Sequence, residues 1–422
     1  MKKAHIITIG NELLIGDTVN TNASWIGSKL TESGFSVDKM ISIPDDYTPI
    51  IEEISDSLQK ADLTIVTGGL GPTHDDITKK AVADIFDSEL VENEAVLNHV
   101  KEIFETRGFI FSRSNREQAL VPECCEVLFN SQGTAPGMWF ERNGHYLAVL
   151  PGVPYEMKHL MDKQVSKKVE EYIQDLDTNI IEYFRTAGIP ESTLSDKVGD
   201  LDQFTSNGVR VAFLPNPSGV TIRISANSED KLVQLREMLQ DRAGKYIYGK
   251  GKNLRLAEVL GELLIEKNMT IATAESCTGG LLSNEITDIP GSSRYMLGGV
   301  VAYSNDVKKN LLSVSQNSLE QYGAVSKKVA LEMAKGVAEY LGADIGVSST
   351  GIAGPGGGTE EKPVGMVWMG FWINGEHFAL RSVFTNDRLI NKERTVMVIL
   401  ESVRRRLLGV DSLPYELKPQ QT

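Results

Sequence analysis

Apolar and polar positions follow two alternating periods in the first part of the chain. Short apolar runs, typical of buried strands, are separated by longer stretches in which apolar residues recur every three or four positions. The pattern predicts the order βαβαβ, over residues 5–9, 22–34, 37–43, 48–61 and 63–67. Strands that alternate with helices are typical of a parallel sheet covered by helices. Two further helical patterns and an apolar run follow, at 77–86, 93–107 and 146–150.

The rest of the chain falls into two more blocks. Residues 175–250 predict a small α+β module, with two strands joined at the turn signal Asn216-Pro217-Ser218-Gly219. A third block returns to α/β order, ends in a helix at about 388–408 and is followed by a polar tail, 414–422, that we expect to be frayed. At 422 residues the length also favours about three domains. We assign them to residues 1–170, 175–250 and 253–412.

Composition excludes several classes of protein. Lys and Arg total 43 against 57 Asp and Glu, and the net charge of −14 disfavours nucleic acid and anionic lipid as partners. No apolar run is long enough for a membrane span, and Asn11 and Glu12 interrupt the N-terminal stretch before a signal sequence is complete. Cys124, Cys125 and Cys277 form no C-x-x-C pair and fit a reducing compartment. We therefore expect a soluble, cytoplasmic protein.

Glycines and carboxylates cluster after the first and third predicted strands, where open α/β sheets bind ligands. Glycine backbone N–H groups at such a point suit phosphate, and carboxylates there can hold a hard cation such as Mg²⁺. The predicted nucleotide-binding residues are Asn11, Glu12, Gly68, Gly69, Gly71 and Thr73, and the predicted metal ligands are Glu12, Asp45, Asp75 and Asp76. Spacing alone equally fits a tight turn whose aspartates cap the next helix.

A second constellation follows the predicted strand at 270–274. Ser276 stands at a strand-to-helix turn with Thr278, Gly279 and Gly280, an arrangement that suits either a nucleophile with oxyanion donors or an ordinary N-cap. Cys277 would need a histidine, and the only one beyond residue 250 is His377. A serine without histidine can use a buried lysine of lowered pKa, and strand-end geometry favours Lys308.

Lys308 also fits a solvated helix lysine beside Lys309. Further along, the glycine-rich run 351–358 with Arg388 could hold a phosphate, Gly351 and Gly354 being the predicted backbone contacts. Surface ion pairing is the alternative for Arg388 and Arg394.

Taken together, these motifs resemble the CinA-like family. The N-terminal ones are Gly-Asn-Glu-Leu-Leu-Ile-Gly at 10–16 and the runs 67–76 and 150–157. The C-terminal ones are Thr-Ala-Glu-Ser-Cys-Thr-Gly-Gly at 273–280, Pro-Gly-Ser-Ser at 290–293, Tyr-Ser-Asn at 303–305 with Lys308, Gly-Ala-Val-Ser at 323–326, and 350–358.

The resemblance implies a molybdopterin-binding-like N-terminal domain that hydrolyses ADP-ribose to AMP and ribose 5-phosphate with Mg²⁺ or Co²⁺, and with K⁺ as a further ion. It implies a KH-like middle module and a C-terminal deamidase of nicotinamide mononucleotide. In that deamidase Ser276 attacks, Lys308 is the base and Tyr303 assists, without a cofactor. It also implies a homodimer whose ligands are small nucleotides.

Three positions depart from the family pattern. Glu117 stands where the family often carries a lysine, a change for which Arg113 and Arg116 could compensate, and Asn386 replaces the glycine of Gly-Asp-Arg. The middle module lacks a glycine-rich RNA clamp at 188–191, so we interpret it as a spacer or dimer contact. A molybdopterin-binding enzyme and a competence-associated scaffold with inactive hydrolase domains are the alternative functions.

Overall fold

The computed structural model describes residues 2–71, 77–174, 176, 179–217 and 219–420. The chain forms two compact units, Met1–Ile180 and Ile181–Thr422. Within the described part, no helix combines the length and the apolar content needed to cross a bilayer.

The first unit is an α/β layer structure built on a six-stranded sheet of order β2-β1-β3-β8-β7-β6. Strands β2, β1, β3 and β8 are parallel, whereas β7 and β6 run antiparallel at one edge. Its strands are β1 (Lys3–Ile9), β2 (Ser36–Ile43), β3 (Leu63–Thr67), β4 (Leu90–Glu92), β5 (Leu120–Pro122), β6 (Glu126–Leu128), β7 (Gly137–Arg142) and β8 (His145–Leu150). Its helices are α1 (Asn11–Leu14), α2 (Thr21–Glu32), α3 (Tyr47–Lys60), α4 (Thr78–Ile85), α5 (Glu94–Thr106), α6 (Arg113–Glu117), α7 (Pro154–Leu160) and α8 (Ser166–Tyr172).

Two apolar cores lie on opposite faces of this sheet. Strand β1 illustrates why, since Ile6 packs into one core and the adjacent Ile7 into the other, and both side chains are fully buried. Successive side chains of a strand point to opposite faces, so a central parallel strand covered on both sides is apolar throughout. The βαβαβ prediction is confirmed.

The second unit begins with a four-stranded sheet of order β10-β11-β9-β12. The elements of this middle module are β9 (Ile180–Thr186), α9 (Glu191–Val198), α10 (Asp202–Thr205), β10 (Arg210–Asn216), β11 (Gly219–Ala226), α11 (Asp230–Ala243) and β12 (Ile247–Lys250). Strands β10 and β11 form the predicted antiparallel hairpin. Strands β9 and β12, which pair with each other, have no counterpart in the sequence prediction.

The C-terminal module is built on a five-stranded sheet of order β14-β13-β15-β16-β17. Strands β14, β13 and β15 are parallel, and β16 and β17 continue the sheet in antiparallel order. Its strands are β13 (Ile271–Glu275), β14 (Met296–Val301), β15 (Ile345–Gly351), β16 (Met366–Ile373) and β17 (Glu376–Val383). Its helices are α12 (Leu256–Glu266), α13 (Leu281–Thr287), α14 (Asn305–Leu312), α15 (Gln316–Tyr322), α16 (Lys327–Leu341) and α17 (Arg388–Leu407).

The tail after α17 is ordered, and the expectation of a frayed end is wrong for its described part. Leu413 and Pro414 are buried, Tyr415 donates its backbone N–H to the carbonyl of Gly188, and Gln420 pairs with Ala379 of β17. The polar composition of the tail concealed these anchors. A few apolar residues and backbone hydrogen bonds are enough to hold a chain terminus against the unit it follows.

Candidate active site

The loop after β13 is shaped by a buried carboxylate. Glu275, at the end of the strand, accepts hydrogen bonds from the backbone N–H groups of Gly280, Leu282 and Ser283 at 2.8–3.0 Å, and from the Ser283 hydroxyl at 2.7 Å. Three of these donors are backbone groups at the start of α13 that have no partner inside the helix. Glu275 therefore holds the chain between the strand and the helix in a fixed path, and Ser276 stands at the beginning of that path.

Ser276 lies beside a buried amine. The Nζ atom of Lys308 is 3.1 Å from Ser276 Oγ and donates to the carbonyl oxygen of Ala302 at 2.6 Å. The Lys308 side chain is 1% exposed, and burial lowers the pKa of Lys308 below its ordinary value, an effect that the neighbouring Cys277 thiol partly opposes. Lys308 is therefore not a solvated helix lysine, and the structure brings it together with Ser276.

Cys277, the next residue, lies in the apolar interior. Its side chain is buried, contacts Ser349 on β15, and burial raises the pKa of the Cys277 thiol to about 11. The hydroxyl of Thr278 is also turned towards β15, 2.6 Å from Ser349 Oγ, and Ser276 N–H donates to the Ser349 carbonyl. Thr278 and Cys277 thus anchor the loop to the neighbouring strand through their side chains.

Gly279 and Gly280 adopt left-handed backbone conformations, with φ of 64° and 98°. Side chains other than glycine rarely occupy this region, so these two positions require glycine. Gly280 N–H is taken by Glu275, whereas the N–H groups of Thr278 and Gly279 donate no hydrogen bond within the described part of the chain. Two unused backbone donors therefore lie two and three residues after Ser276.

Tyr303 and Arg388 meet at the same edge of the sheet. Tyr303 is 64% exposed, and its hydroxyl accepts a hydrogen bond from Arg388 Nη2 at 3.2 Å. Arg388 Nη1 donates to the carbonyl of Gly354 at 2.9 Å, and no carboxylate pairs with Arg388 among the described residues. The surface ion pair considered for Arg388 is thus absent there. Gly351, at the end of β15, begins the loop that contains Gly354.

The loops on either side of Arg388 are joined by a residue that sequence reasoning missed. Asn391, fully buried one turn along α17, donates from Nδ2 to the carbonyls of Ala353 and Thr385 and accepts from the Thr385 N–H. The missed signals were polar residues inside otherwise apolar segments, namely Glu275, Ser349 and Asn391, each of which is fully buried. A buried polar residue at a strand or helix end requires a partner. Here Glu275 and Asn391 bond mainly to loop backbones, and the Ser349 hydroxyl bonds to that of Thr278.

In the first unit the described members of the predicted nucleotide-binding set lie after the carboxyl ends of β1 and β3. The backbone N–H of Asn11 donates to Asp45 Oδ2 at 2.9 Å, which joins the loops after β1 and β2. Gly68 and Gly69 have φ of 114° and 64°, and a Cβ on Gly68 would lie 2.2 Å from the Ile9 carbonyl oxygen. Gly71 follows them in the loop. The glycines therefore allow close approach of two chain segments.

A pocket of about 130 Å³ opens beside these loops. Glu12, Asn20, Asn22, Thr67 and Gly152 are among the residues that line it. Asn22 Nδ2 donates to the Gly152 carbonyl at 2.7 Å, but Asn22 Oδ1 is buried and accepts nothing in the described structure. An unsatisfied buried acceptor of this kind marks a position where a ligand donor or water is expected.

Only part of the predicted metal site lies within the described residues. Thr73, Asp75 and Asp76 lie outside the described residues. Across the described ranges no three His, Cys, Asp or Glu side chains come together as a metal site would require. Glu12 and Asp45 are the described members of the predicted ligand set, and the metal stays a prediction. Arg113 and Arg116, considered as compensation at Glu117, pair with Glu117 and Glu92 respectively.

Three segments of the chain each match a known domain family. Residues 5–171 match the model of a probable molybdopterin binding domain, 182–249 that of the damage-inducible protein CinA KH domain, and 253–407 that of the CinA C-terminal domain.

Full-length relatives and a solved structure were also found. The chain is 44% identical to a CinA-like protein of Chloroherpeton thalassium and 41% identical to one of Salinibacter ruber, in each case over 96% of this chain and 99% of the relative. The crystal structure of the protein CinA from Thermoplasma acidophilum, described as of unknown function, is 36% identical and covers 40% of this chain and 96% of its own, with a TM-score of 0.36. The chain belongs to the CinA-like family, with a molybdopterin-binding-like N-terminal domain, a KH module and a CinA C-terminal domain.

Proposed function

We propose that the C-terminal module is a serine/lysine amide hydrolase that converts nicotinamide mononucleotide to nicotinate mononucleotide and ammonia. The observation that carries this proposal is the 3.1 Å separation between Lys308 Nζ and Ser276 Oγ, with the amine buried and its pKa lowered. A neutral amine within hydrogen-bond distance of a hydroxyl is the arrangement that a general base and its nucleophile require.

The reaction follows from this geometry in two halves. Neutral Lys308 takes the proton of Ser276 as Oγ attacks the carboxamide carbon, and the oxyanion that forms is stabilised by the free N–H groups of Thr278 and Gly279. Protonated Lys308 then gives that proton to the leaving nitrogen, the C–N bond breaks, and ammonia departs. Water, deprotonated by Lys308, attacks the acyl ester, and the carboxylic acid leaves as Ser276 recovers its proton.

We assign recognition of the nucleotide phosphate to Arg388 and the residues bonded to it. Among the residues that the structure describes, the partners of Arg388 are neutral, namely the Gly354 carbonyl and the Tyr303 hydroxyl, so its charge is available for a phosphate. The loop between Gly351 and Gly354 supports the guanidinium through the Gly354 carbonyl. Tyr303, exposed and bonded to Arg388, is positioned to contact the substrate between the phosphate and the reacting carboxamide.

Ammonia release from nicotinamide mononucleotide tests the assignment. Ser276→Ala and Lys308→Ala should each abolish release, Arg388→Gln should chiefly raise KM, and Cys277→Ala should retain activity. Addition of EDTA should leave release unchanged, since the proposed mechanism uses no metal. Lack of ammonia from the wild-type protein, or full activity of Lys308→Ala, would contradict the proposal.

A second activity is inferred for the N-terminal domain, hydrolysis of ADP-ribose to AMP and ribose 5-phosphate. It is supported by the unsatisfied Asn22 Oδ1 in a pocket that Glu12 also lines. Glu12 and Asp45 would supply oxygen ligands to a divalent cation, together with Asp75 and Asp76. Such a cation, when bound, would supply charge stabilisation at the pyrophosphate and an activated water.

AMP release from ADP-ribose measures this activity separately. We expect it to require Mg²⁺ or Co²⁺, to be lost with EDTA, and to fall strongly in Glu12→Gln and Asn22→Ala. Ser276→Ala should leave it intact, which also demonstrates that this variant is folded. Metal-independent AMP release, or release unaffected by Glu12→Gln, would overturn the inference.

A further inference from the structure

The second unit contains a pocket of about 450 Å³ between the middle module and the C-terminal module. This is within the range of about 300–1,000 Å³ that is typical of small-molecule sites, which favour domain junctions. Ile189 and Pro190 line it from the middle module, and Phe384 and Arg394 from the C-terminal module. Ser276, Lys308 and Arg388 are not among its lining residues, although Arg394 lies on the helix that begins at Arg388.

Arg394 is the charged group on its wall. It lies on α17 and is half-buried, yet its guanidinium makes no hydrogen bond or salt bridge with any residue of the described structure. Arg404 and Arg405, on the same helix, are both bonded to the Glu401 carboxylate. A half-buried guanidinium without a partner is unfavourable unless water or a ligand satisfies it.

Tyr415 brings a second unused donor to the same pocket. Its backbone lies in the left-handed region, with φ of 53°, and is fixed by the 2.6 Å hydrogen bond from its N–H to the Gly188 carbonyl. Burial raises the pKa of Tyr415, and Arg394 opposes that rise, as expected for a guanidinium close to the phenol. The Tyr415 hydroxyl has no hydrogen-bond partner in the part of the chain that the structure covers. The ordered tail therefore presents a donor beside Arg394.

Much of the remaining wall is apolar, and the polar residues Asn216 and Ser382 also line it. Phe384 and Pro190 offer surfaces on which a planar ring can stack, with Ile189 and Val383 beside them. Glu191 is the acidic side chain that lines the pocket; it is exposed, and it would repel a ligand with several negative charges. The pocket therefore combines one cation, one phenolic donor and a ring-sized apolar wall.

We propose that this pocket binds a heteroaromatic ring joined to a single phosphate, a ligand of mononucleotide size. Arg394 and Tyr415 would bind the phosphate, since a guanidinium fork and a hydroxyl both donate to its oxygens. Phe384 and Pro190 would hold the ring. Because the walls come from both modules, the bound ligand would fix the middle module against the C-terminal module.

Hydrogen exchange of the full-length protein with AMP as the probe tests this site, because protection is measured segment by segment and binding at the other proposed nucleotide sites would protect other segments. AMP should protect the backbone around 188–191 and 413–416, because both segments border the pocket. Adenosine and inorganic phosphate, tested separately, should protect these segments much less. Equal protection by adenosine, or by phosphate alone, would contradict the two-part recognition, and no protection by millimolar AMP would refute the site.

Variants test whether AMP protects these segments by binding in the pocket or by stabilising the protein from another site. Arg394→Gln should weaken AMP protection at these segments about tenfold or more, the loss expected for a charge-assisted hydrogen bond. Arg381→Gln, at an exposed arginine on β17, is the matched control and should bind as the wild type does. Tyr415→Phe, which keeps the ring, should give a smaller loss and covers the case in which Arg394→Gln folds poorly. Unchanged AMP protection in both pocket variants would exclude the proposal.

Discussion

At the scale of single residues, the C-terminal site depends on a lysine in an unfavourable environment. Lys308 is almost completely buried, and its amine is next to a hydroxyl and a carbonyl rather than a carboxylate. Desolvation disfavours the charged amine, so the same burial that costs stability makes the neutral base available at a lower pH than for an ordinary lysine.

The lowered pKa of Lys308 predicts that both ammonia release and stability depend on pH. Ammonia release should rise with pH as Lys308 loses its proton, with a midpoint below the ordinary lysine pKa. Stability should also rise, because between the lowered folded pKa and the ordinary one the unfolded chain binds a proton that the folded chain does not. Lys308→Met should remove this contribution. Urea midpoints from about pH 7 to pH 10 would measure it, and parallel curves for wild type and Lys308→Met would contradict it.

The sequence could place Lys308 near Ser276 but could not show that it is buried. Its neighbour Lys309 has the same chemistry and pairs with Asp306 at the surface. Which of the two faces inward depends on how α14 packs against α16, a contact between residues distant in sequence. Ser276, Gly279 and Gly280, in contrast, were predictable, because a strand-to-helix turn with two left-handed positions has a local sequence signature.

The three cysteines provide a separate test at this scale. Burial raises the pKa of Cys277 to about 11 and that of Cys125 to about 12, whereas Cys124 is exposed. Only thiolates alkylate rapidly, so iodoacetamide should label Cys124 first in the folded protein near neutral pH, and all three cysteines in urea. Peptide mass spectrometry would measure this order. Rapid labelling of Cys277 with loss of ammonia release would instead indicate a reactive thiol at the site.

At the scale of elements, the turn from β13 to α13 depends on one carboxylate. Glu275→Gln keeps the size of the side chain but replaces one acceptor oxygen by an amide group, so at least one backbone N–H at the start of α13 loses its partner. We expect a loss of about 2–4 kcal/mol in unfolding free energy and a lower kcat, because the loop that carries Ser276 loosens.

Urea denaturation and ammonia release measured on the same preparation would test this expectation. Glu262→Gln, at an exposed position on the preceding helix α12, is the matched control and should change neither quantity. If Glu275→Gln were as stable and as active as the control, the carboxylate would not be what shapes the loop.

The elements also indicate how far sequence patterns reach. The central strand β3 has the predicted bounds, since a buried run flanked by turn signals is recognisable locally. Strand β7 was missed because its run from Gly137 to Arg142 ends in charged residues and pairs antiparallel at one side of β8. Strands β9 and β12 depend on each other across the whole middle module, so neither has a strong local signal.

At the scale of the whole molecule, one ionic cluster connects the two modules of the second unit. Glu401 and Arg405 are completely buried on α17, and Arg405 reaches beyond its helix to the carbonyls of Ala187 and Ser412. Its guanidinium also lies over the ring of Tyr246. The middle module and the ordered tail are therefore both bonded to the Arg405 side chain, which shares the Glu401 carboxylate with Arg404.

Glu401→Gln should consequently destabilise more than its own helix. Removing one partner of a buried ion pair leaves the other charge uncompensated, at a cost of about 3–5 kcal/mol. Since Arg405 bonds to both modules, hydrogen exchange should accelerate in β9 and β12 of the middle module as well as in α17 and the tail at 412–416.

Glu393→Gln, at an exposed position on the same helix, tests whether any loss of a carboxylate on α17 has this effect and should leave the exchange pattern unchanged. Acceleration confined to α17 in Glu401→Gln would mean that the middle module is held by its apolar contacts alone. Acceleration in both modules would establish that the cluster joins them, and that a ligand bound between Arg394 and Tyr415 acts on a junction already fixed by Arg405.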